Sequence, residues 1–435
     1  MAVRTLPPEL EEFGLSEMTF WVQPDEVRNR AFARMRELDT APFVPLPKVP
    51  MTKSKPGFYV LSRHAEVLAA SRDAKRFSSE PTANSLTEMP VWASRFFGSM
   101  INMDDPRHAR IRRVVSRGFS PRMLERIDDD LRVRAARIVD DVVAEGPKDF
   151  VAQVAARLPV EVICHLMGIP EEHHAMVLDR TNVILGYSDP EYNGTGAALD
   201  APVRRRDVAV AGVNLVRAGH ELFRLVKRLG KERKGGTGDD LITKLVNANA
   251  DGESLTAQEI GSFFVLLVVA GNETTRNAIT HALRLFTEFP EQKRLLMEDF
   301  EGRIAGAVEE IVRYSTPVIQ FRRNVTEDCE LNGTPLKKGD VVVLLYTSAN
   351  RDEAVFTDPD VFDITRSPNP HVGFGGPGPH YCLGVHLARR EITVMLRELF
   401  TRLPDIRATG EPERLASFFI NGIKRMPFET GPQTR

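Results

Sequence analysis

From residue 105 to about 285, apolar positions recur at intervals of three and four, the spacing of helices that bury one face. A second helical block is predicted over 291–314 and a third over 385–403. Strand patterns are few. Residues 57–61 read as a strand followed by a helix over 65–71. Residues 329–345 read as strands, with Asn332-Gly333 as a hairpin turn and Lys338-Gly339 as a second turn. Between these lie a polar loop at 80–100 with the apolar residues Val91, Trp92, Phe96 and Phe97, and two breaks at 189–202 and 231–240. A Gly-rich run at 373–384 leads into the last helix. The predicted class is mainly α with small β-sheets.

At 435 residues the chain exceeds the size at which one core usually stops growing. Yet no repeat, low-complexity block or long linker divides it. One domain over 1–435 is expected, with an N-terminal extension at 1–19 and a β-rich side drawn from 50–62, 325–346 and 405–428. Lys plus Arg is 58 against 60 for Asp plus Glu, so no whole-chain field draws in nucleic acid or an anionic membrane. The most apolar window, 263–270, is far short of the roughly 20 residues of a membrane span. The first residues carry acids where a signal peptide would be apolar. Three cysteines, none in a C-x-x-C pair, argue against a disulfide framework and for a reducing cytoplasm.

Those cysteines differ in setting. Cys164 shares helical spacing with Val160, Ile163 and Met167 and reads as a core thiol. Cys329 stands at a hairpin edge between acids, which discourages a thiolate. Cys382 lies in Gly373-Phe-Gly-Gly-Pro-Gly-Pro-His-Tyr-Cys-Leu-Gly384, directly before a helix. A helix start and its free N–H groups lower a thiol's pKa, and glycines let backbone pass close to a flat group.

This run resembles the haem-binding loop of the cytochrome P-450 superfamily, bacterial soluble class. Its Phe-to-Cys spacing, Phe374 to Cys382, is one residue longer than usual in the family. The resemblance implies a triangular-prism fold and heme b (iron protoporphyrin IX) ligated by Cys382. Phe374, Gly375, Gly384 and Ala388 would stand around that ligand.

Other constellations accompany it in family order. The helix around 261–285 is interrupted by Ala270-Gly-Asn-Glu-Thr-Thr275. A Gly in mid-helix costs about 1 kcal/mol relative to Ala, and polar groups break an apolar run. Function is expected to override propensity at such places. The hexad resembles the family's acid–alcohol pair, which implies that Ala270 and Gly271 would leave space for dioxygen, Thr274 would hydrogen-bond it and Glu273 would relay protons. A bond from a hydroxyl back to its own helix is the plainer reading for Thr275.

Glu310 and Arg313 stand at i, i+3 and read alone as an exposed helix bridge. Beside the Cys loop they resemble the family's Glu-x-x-Arg brace, with Arg366 completing the network. His108 and Arg112 share a helix face. The resemblance assigns them, with Arg323 and His380, to the haem propionates. Arg110, Arg113 and Arg117 fit a docking patch for an acidic, ferredoxin-type electron donor on the proximal face, which passes electrons from NAD(P)H.

Substrate class rests on resemblance alone. Phe97-Gly-Ser-Met-Ile101, Thr181-Asn-Val-Ile-Leu-Gly186, Ser262–Asn277 and Phe419-Ile-Asn-Gly-Ile-Lys424 are similar to actinobacterial methyl-branched-lipid ω-hydroxylases and to sterol side-chain terminal hydroxylases. The implied pocket residues, Trp92, Phe96, Met100, Leu266, Val269, Ile319 and Phe419, are apolar and suit a hydrophobic small molecule. Terminal hydroxylation of a methyl-branched lipid or terpenoid is expected. A sterol or steroid side-chain hydroxylase and a secondary-metabolite hydroxylase stay open. So does a different class, a non-catalytic haem-thiolate binding protein, which would need no proton relay. The stretch 189–240 looks longer than in those hydroxylases.

Overall fold

The computed structural model describes residues 5–431 except 51–54, 87, 89–98, 120–122, 124, 126 and 248–254. Its longer helices are α1 (Asp25–Glu37), α2 (His64–Arg72), α3 (Arg107–Ser116), α4 (Asp128–Glu145), α5 (Arg157–Met167), α6 (His174–Leu185), α7 (Arg205–Glu232), α8 (Leu241–Asn247), α9 (Ala257–Glu288), α10 (Pro290–Glu298), α11 (Phe300–Ser315) and α12 (Val385–Arg402). The principal strands are β1 (Phe43–Pro45), β2 (Gly57–Leu61), β3 (Phe77–Ser78), β4 (Gln320–Val325), β5 (Cys329–Leu331), β6 (Thr334–Leu336) and β7 (Val341–Leu345). β8 (Arg407–Ala408), β9 (Glu413–Arg414), β10 (Ile423–Arg425) and β11 (Phe428–Glu429) follow the last helix. The helix-dominated reading holds.

The central helix α9 is 32 residues long, about 48 Å of axis. A capping box starts it: the Thr256 hydroxyl accepts from the Glu259 N–H at 3.2 Å, and the Glu259 carboxylate accepts from the Thr256 N–H at 2.8 Å. Pro290 follows its end and opens α10. Because α9 is buried on nearly every side, its run of Phe, Val, Leu and Ile serves as the axis of the largest core cluster.

The block expected at 291–314 is two helices rather than one. Asp299 leaves helical geometry and its carboxylate accepts from the Gly302 N–H at 3.1 Å, so an N-cap restarts the chain as α11. The apolar pattern carries no sign of that break.

One sheet has the order β1-β2-β7-β4-β3, with β2 and β7 parallel and the other pairs antiparallel. All five residues of β7, Val-Val-Val-Leu-Leu, are buried, as a central strand covered on both faces requires. β5 and β6 form the hairpin predicted at Asn332-Gly333.

The stretch 189–240 contains the 28-residue α7, preceded by turns that are fastened to the C-terminal strands. Asp189 accepts from the Ala416 N–H at 2.9 Å. Lys424 reaches Asp189 at 3.3 Å and both Glu191 and Glu413 at 2.9 Å. Arg425 adds bonds to Glu191 and Glu413 on the exposed rim.

Candidate active site

A cavity lies between α9 and the 373–384 loop. Along α9, Phe263, Leu266, Leu267, Ala270, Gly271, Thr274, Thr275 and Ala278 border it, a stripe at the three- and four-residue spacing of one helix face. A Cβ added at Gly271 would meet only Ile163, at 3.5 Å, so packing does not demand glycine there.

The loop supplies Phe374, Gly375, His380, Cys382 and Gly384, and α12 supplies Ala388. Gly375 has φ +94°, a conformation that favours glycine. Gly376 and Gly378 are needed for a different neighbour than the cavity. A Cβ at Gly376 would stand 2.6 Å from the Ser71 hydroxyl, and one at Gly378 would stand 2.2 Å from the Ser71 carbonyl on α2. Part of the glycine run therefore serves the contact with α2.

The Cys382 N–H donates to the Phe374 carbonyl at 2.9 Å, which closes the loop beneath the sulfur. Arg389 lies over the Phe374 ring at 5.0 Å and is held by Glu309 at 2.6 and 2.8 Å. Burial pushes the Cys382 thiol up, against the Gly384 N–H, Arg112 and Arg389, which favour the thiolate. The N–H at the helix start acts in the expected direction, and burial outweighs it. A metal cation is the charge that would reverse that balance. Cys164 is pushed up to about 12, chiefly by burial, and Cys329 is also raised, first by burial and also by nearby acids.

The four propionate candidates gather at one edge. His108 and His380 rings are 4.3 Å apart, and Arg112 and Arg323 border the cavity beside them. Burial first, then Arg323, His108 and Arg112, hold His380 down to about 3; burial and Arg112 also lower His108. His108 Nε2 is buried without a hydrogen-bond partner. Arg112 donates to the Tyr381 carbonyl at 2.6 Å and Arg323 to the Arg322 carbonyl at 2.8 Å, so neither meets a carboxylate there. An edge with two cations fits a group bearing carboxylates, and the soft thiol at the same cavity fits iron. Iron porphyrin matches both.

Glu273 and Thr274 are adjacent but turned differently. The Thr274 hydroxyl borders the cavity and donates to the Ala270 carbonyl at 2.7 Å, the back-bond that sequence assigned to Thr275. Glu273 does not border the cavity. Its carboxylate is buried against Arg276 and accepts from Asn277 Nδ2 at 3.2 Å, while Arg276 also reaches Asn182 at 2.8 Å. Burial raises the Glu273 pKa despite Arg276 and Asn277.

Glu310 and Arg313 are fully buried, not an exposed bridge. Arg313 donates to both Glu310 oxygens at 2.7 Å and to the carbonyls of Asn350, Pro359 and Val361 at 2.9, 2.8 and 3.1 Å. Glu310 also accepts from the Asp363 N–H at 3.0 Å, Arg366 at 3.3 Å and Asn369 at 3.0 Å.

The expected pocket residues divide. Met100 and Leu266 border the cavity. Trp92 and Phe96 lie outside the described residues. Val269, Ile319 and Phe419 do not border it. Val269 is off the α9 stripe, and Ile319 packs in the cluster around Phe32, since alternation of side chains turns Val318 inward instead. Phe419 stacks edge-on against Phe321, 5.2 Å away, and Phe321 is the residue that reaches the cavity. The cavity is also lined by residues that the sequence reading did not place there, among them Phe263, Val318, Phe321, Thr275 and, on α12, Glu391. No helix among the described residues is long and apolar enough to cross a membrane.

Residues 223–404 match the cytochrome P450 family model. The methyl-branched lipid omega-hydroxylase of Mycobacterium tuberculosis is 44% identical over 428 residues, 97% of this chain and 96% of that protein. The steroid C26-monooxygenase of Mycolicibacterium smegmatis is 40% identical over 376 residues, 85% and 82% of the two chains. Among solved structures, a Mycobacterium marinum cytochrome P450 in complex with pseudoionone superposes with a TM-score of 0.89 at 37% identity, covering 99% of this chain and all of that one.

Proposed function

The chain belongs to the cytochrome P450 family and is a monooxygenase, and we propose that it hydroxylates the terminal carbon of a methyl-branched lipid or terpenoid. The observation that carries this reading is the apolar wall of the cavity, where Met100, Phe263, Leu266, Leu267, Val318 and Phe321 face the Cys382 loop. Such a wall holds hydrocarbon through buried area, about 25 cal/mol per Å² before ordering costs. The likeness to the methyl-branched lipid omega-hydroxylase across 97% of the chain supports the same choice. The steroid C26-monooxygenase relative favours a sterol side chain as the second reading, which the same wall would also accept.

In this reading the whole chain is one catalytic domain holding heme b. Cys382 gives the sulfur ligand, with Phe374, Gly375, Gly384 and Ala388 around it. Arg112, Arg323, His380 and His108 receive the propionates. When bound, the haem supplies dioxygen binding and its reductive activation. The protein's own part is geometric and protonic. The apolar wall excludes water and presents a chain end, since a terminal methyl is intrinsically less reactive than a branch point and must be positioned. Thr274 keeps a hydroxyl at the cavity, and Glu273 passes it protons on exchanging its bond to Arg276. Glu310, Arg313 and Arg366 brace the segment leading to the loop.

Electrons come from NAD(P)H through a ferredoxin-type donor docking near the exposed Arg113. Arg110 is engaged by Glu259 and contributes less. The reaction takes place in the cytoplasm.

The test is a carbon monoxide spectrum of the reduced protein, then a spectral-shift screen of branched fatty acids, terpenoids and sterols with product regiochemistry. The long-wavelength Soret band is expected in the native protein and not in Cys382→Ala. Sub-terminal products from every ligand would reject the positional claim.

A further inference from the structure

We infer that the outer face of α7, with the turn that leads into it, docks on the surface of an anionic lipid bilayer. The inference goes beyond the substrate reading and holds for any hydrophobic ligand of the cavity.

Charge is balanced over the whole chain but not here. Residues 199–234 hold ten Lys and Arg against four Asp and Glu. Arg204, Arg205 and Arg206 run together at the start of α7, all exposed. Along the helix, Arg206, Val213, Arg217, His220, Arg224 and Lys231 are spaced by three, four or seven residues, so they share one face, and each is exposed. The opposite face is the buried one, with Leu222, Leu225, Val226 and Leu229. Arg217 is answered by Glu221, whereas Arg205, Arg224, Lys227 and Lys231 meet no acid among the described residues.

Apolar side chains stand among these cations. Nine large apolar side chains are exposed among the described residues, and three of them, Leu199, Val203 and Val213, fall in this one stretch at 37%, 56% and 66%. A single exposed hydrophobe is ordinary; a group of them beside a basic run marks a contact surface. From 205 to 217, α7 has no buried residue, although it carries Val208, Val210, Leu215 and Val216 besides Val213. A soluble polyanion would meet the cations alone. At a bilayer the same face is used whole: Arg and Lys hold lipid phosphates while the apolar side chains between them enter the acyl boundary.

The position of α7 gives the contact a use. Its 28 residues make about 42 Å of axis, enough to lay several cations on one surface. Its inner face crosses α9, where a Cβ at Gly261 would run into the Phe223 ring, and Phe263 and Leu266 on the same part of α9 border the cavity. A bilayer on the outer face is thus one helix away from the apolar wall. Because exposed cations supply the attraction, the contact is reversible and weakened by salt.

The test uses the haem-loaded full chain in co-sedimentation with vesicles of mixed phosphatidylglycerol and phosphatidylcholine, and of phosphatidylcholine alone. The mixed vesicles should bind it at low salt and release it as salt rises, and the neutral ones should bind it weakly. Combining Arg204→Glu, Arg205→Glu and Arg206→Glu should lower the partition coefficient on the order of 100-fold. Val203→Asp with Val213→Asp should lower it about tenfold. Lys338→Glu, at an exposed lysine between β6 and β7, should leave it unchanged. The carbon monoxide band should be native in each variant, and if one combination fails to fold the other carries the test. Vesicle binding is read without turnover, so its failure and failure of the hydroxylase reading are distinguishable. No binding at low salt, native binding by either combination, or an equal loss in Lys338→Glu overturns the inference. Native binding by the valine combination alone would mark a face for an acidic protein instead.

Discussion

Two Glu–Arg pairs in this molecule have the same spacing and the same depth but opposite completeness. Glu310 and Arg313 on α11 are buried, and every polar side-chain atom of the pair has a partner, all but Arg313 Nε within the 350–369 segment. Glu273 and Arg276 on α9 are equally buried, yet Glu273 Oε2, Arg276 Nε and the neighbouring Asn272 Oδ1 have no partner. Glu391, across the cavity border, shares that condition. A fully satisfied buried network fixes one geometry, and a partly satisfied one keeps a group whose partner can be exchanged. Burial alone therefore does not separate scaffold from chemistry. What sets the two pairs apart is that only the Glu273–Arg276 pair holds idle polar atoms of its own.

The largest effect should come from breaking the complete pair. Glu310→Ala leaves Arg313 as an uncompensated buried charge and should cost about 3–5 kcal/mol, read from the denaturation midpoint, with loss of bound haem. A cost below about 1 kcal/mol would erase the distinction. At the incomplete pair the order reverses. Glu273→Gln should lower product formation per reducing equivalent on the order of 100-fold while changing stability by only about 1–2 kcal/mol.

Third is pH. Burial pushes the Glu391 pKa up to about 8 in the fold against an ordinary 4.5. A raised carboxyl contributes stability that is complete below about 4.5 and declines as pH rises through about 8. Relative to Glu391→Gln, the native protein should therefore lose about 1.4 kcal/mol per pH unit inside that window, measured by denaturant titration. A flat difference would mean the acid is not protonated in the fold. The smallest effect is expected from Arg366→Ala. That side chain closes the brace from its outer edge, at 11% exposure, and its loss should cost about 1 kcal/mol with the carbon monoxide spectrum unchanged.

What could be read from sequence follows from how local each signal is. The α9 interruption and the Cys382 loop break a local rule within a few residues and so announce themselves. Glu310 and Arg313, by spacing alone, look like a surface bridge; their burial comes from residues 350–369, which periodicity does not bring near. The pocket errors have the same origin. Ile319 was one residue out of phase with Val318, and a single residue turns a strand side chain to the other face. Glu391 sits in Arg389-Arg-Glu-Ile392, where charged neighbours suggest a solvated helix face, and its partner Thr275 belongs to another helix far along the chain. The Asp299 break was hidden because apolar spacing continues through it.

The Lys424 node has a consequence for how the chain's last strands stay attached. They are tied to the segment before α7 by charge: Lys424, nearly sealed, at the centre, and Arg425 with Glu191 and Glu413 half exposed around it. Dissolved salt screens exposed charges over a Debye length of about 8 Å at physiological ionic strength and acts much less on enclosed ones. Added salt therefore loosens the outer ring of this knot while its centre holds, so that attachment slackens by degrees instead of coming undone.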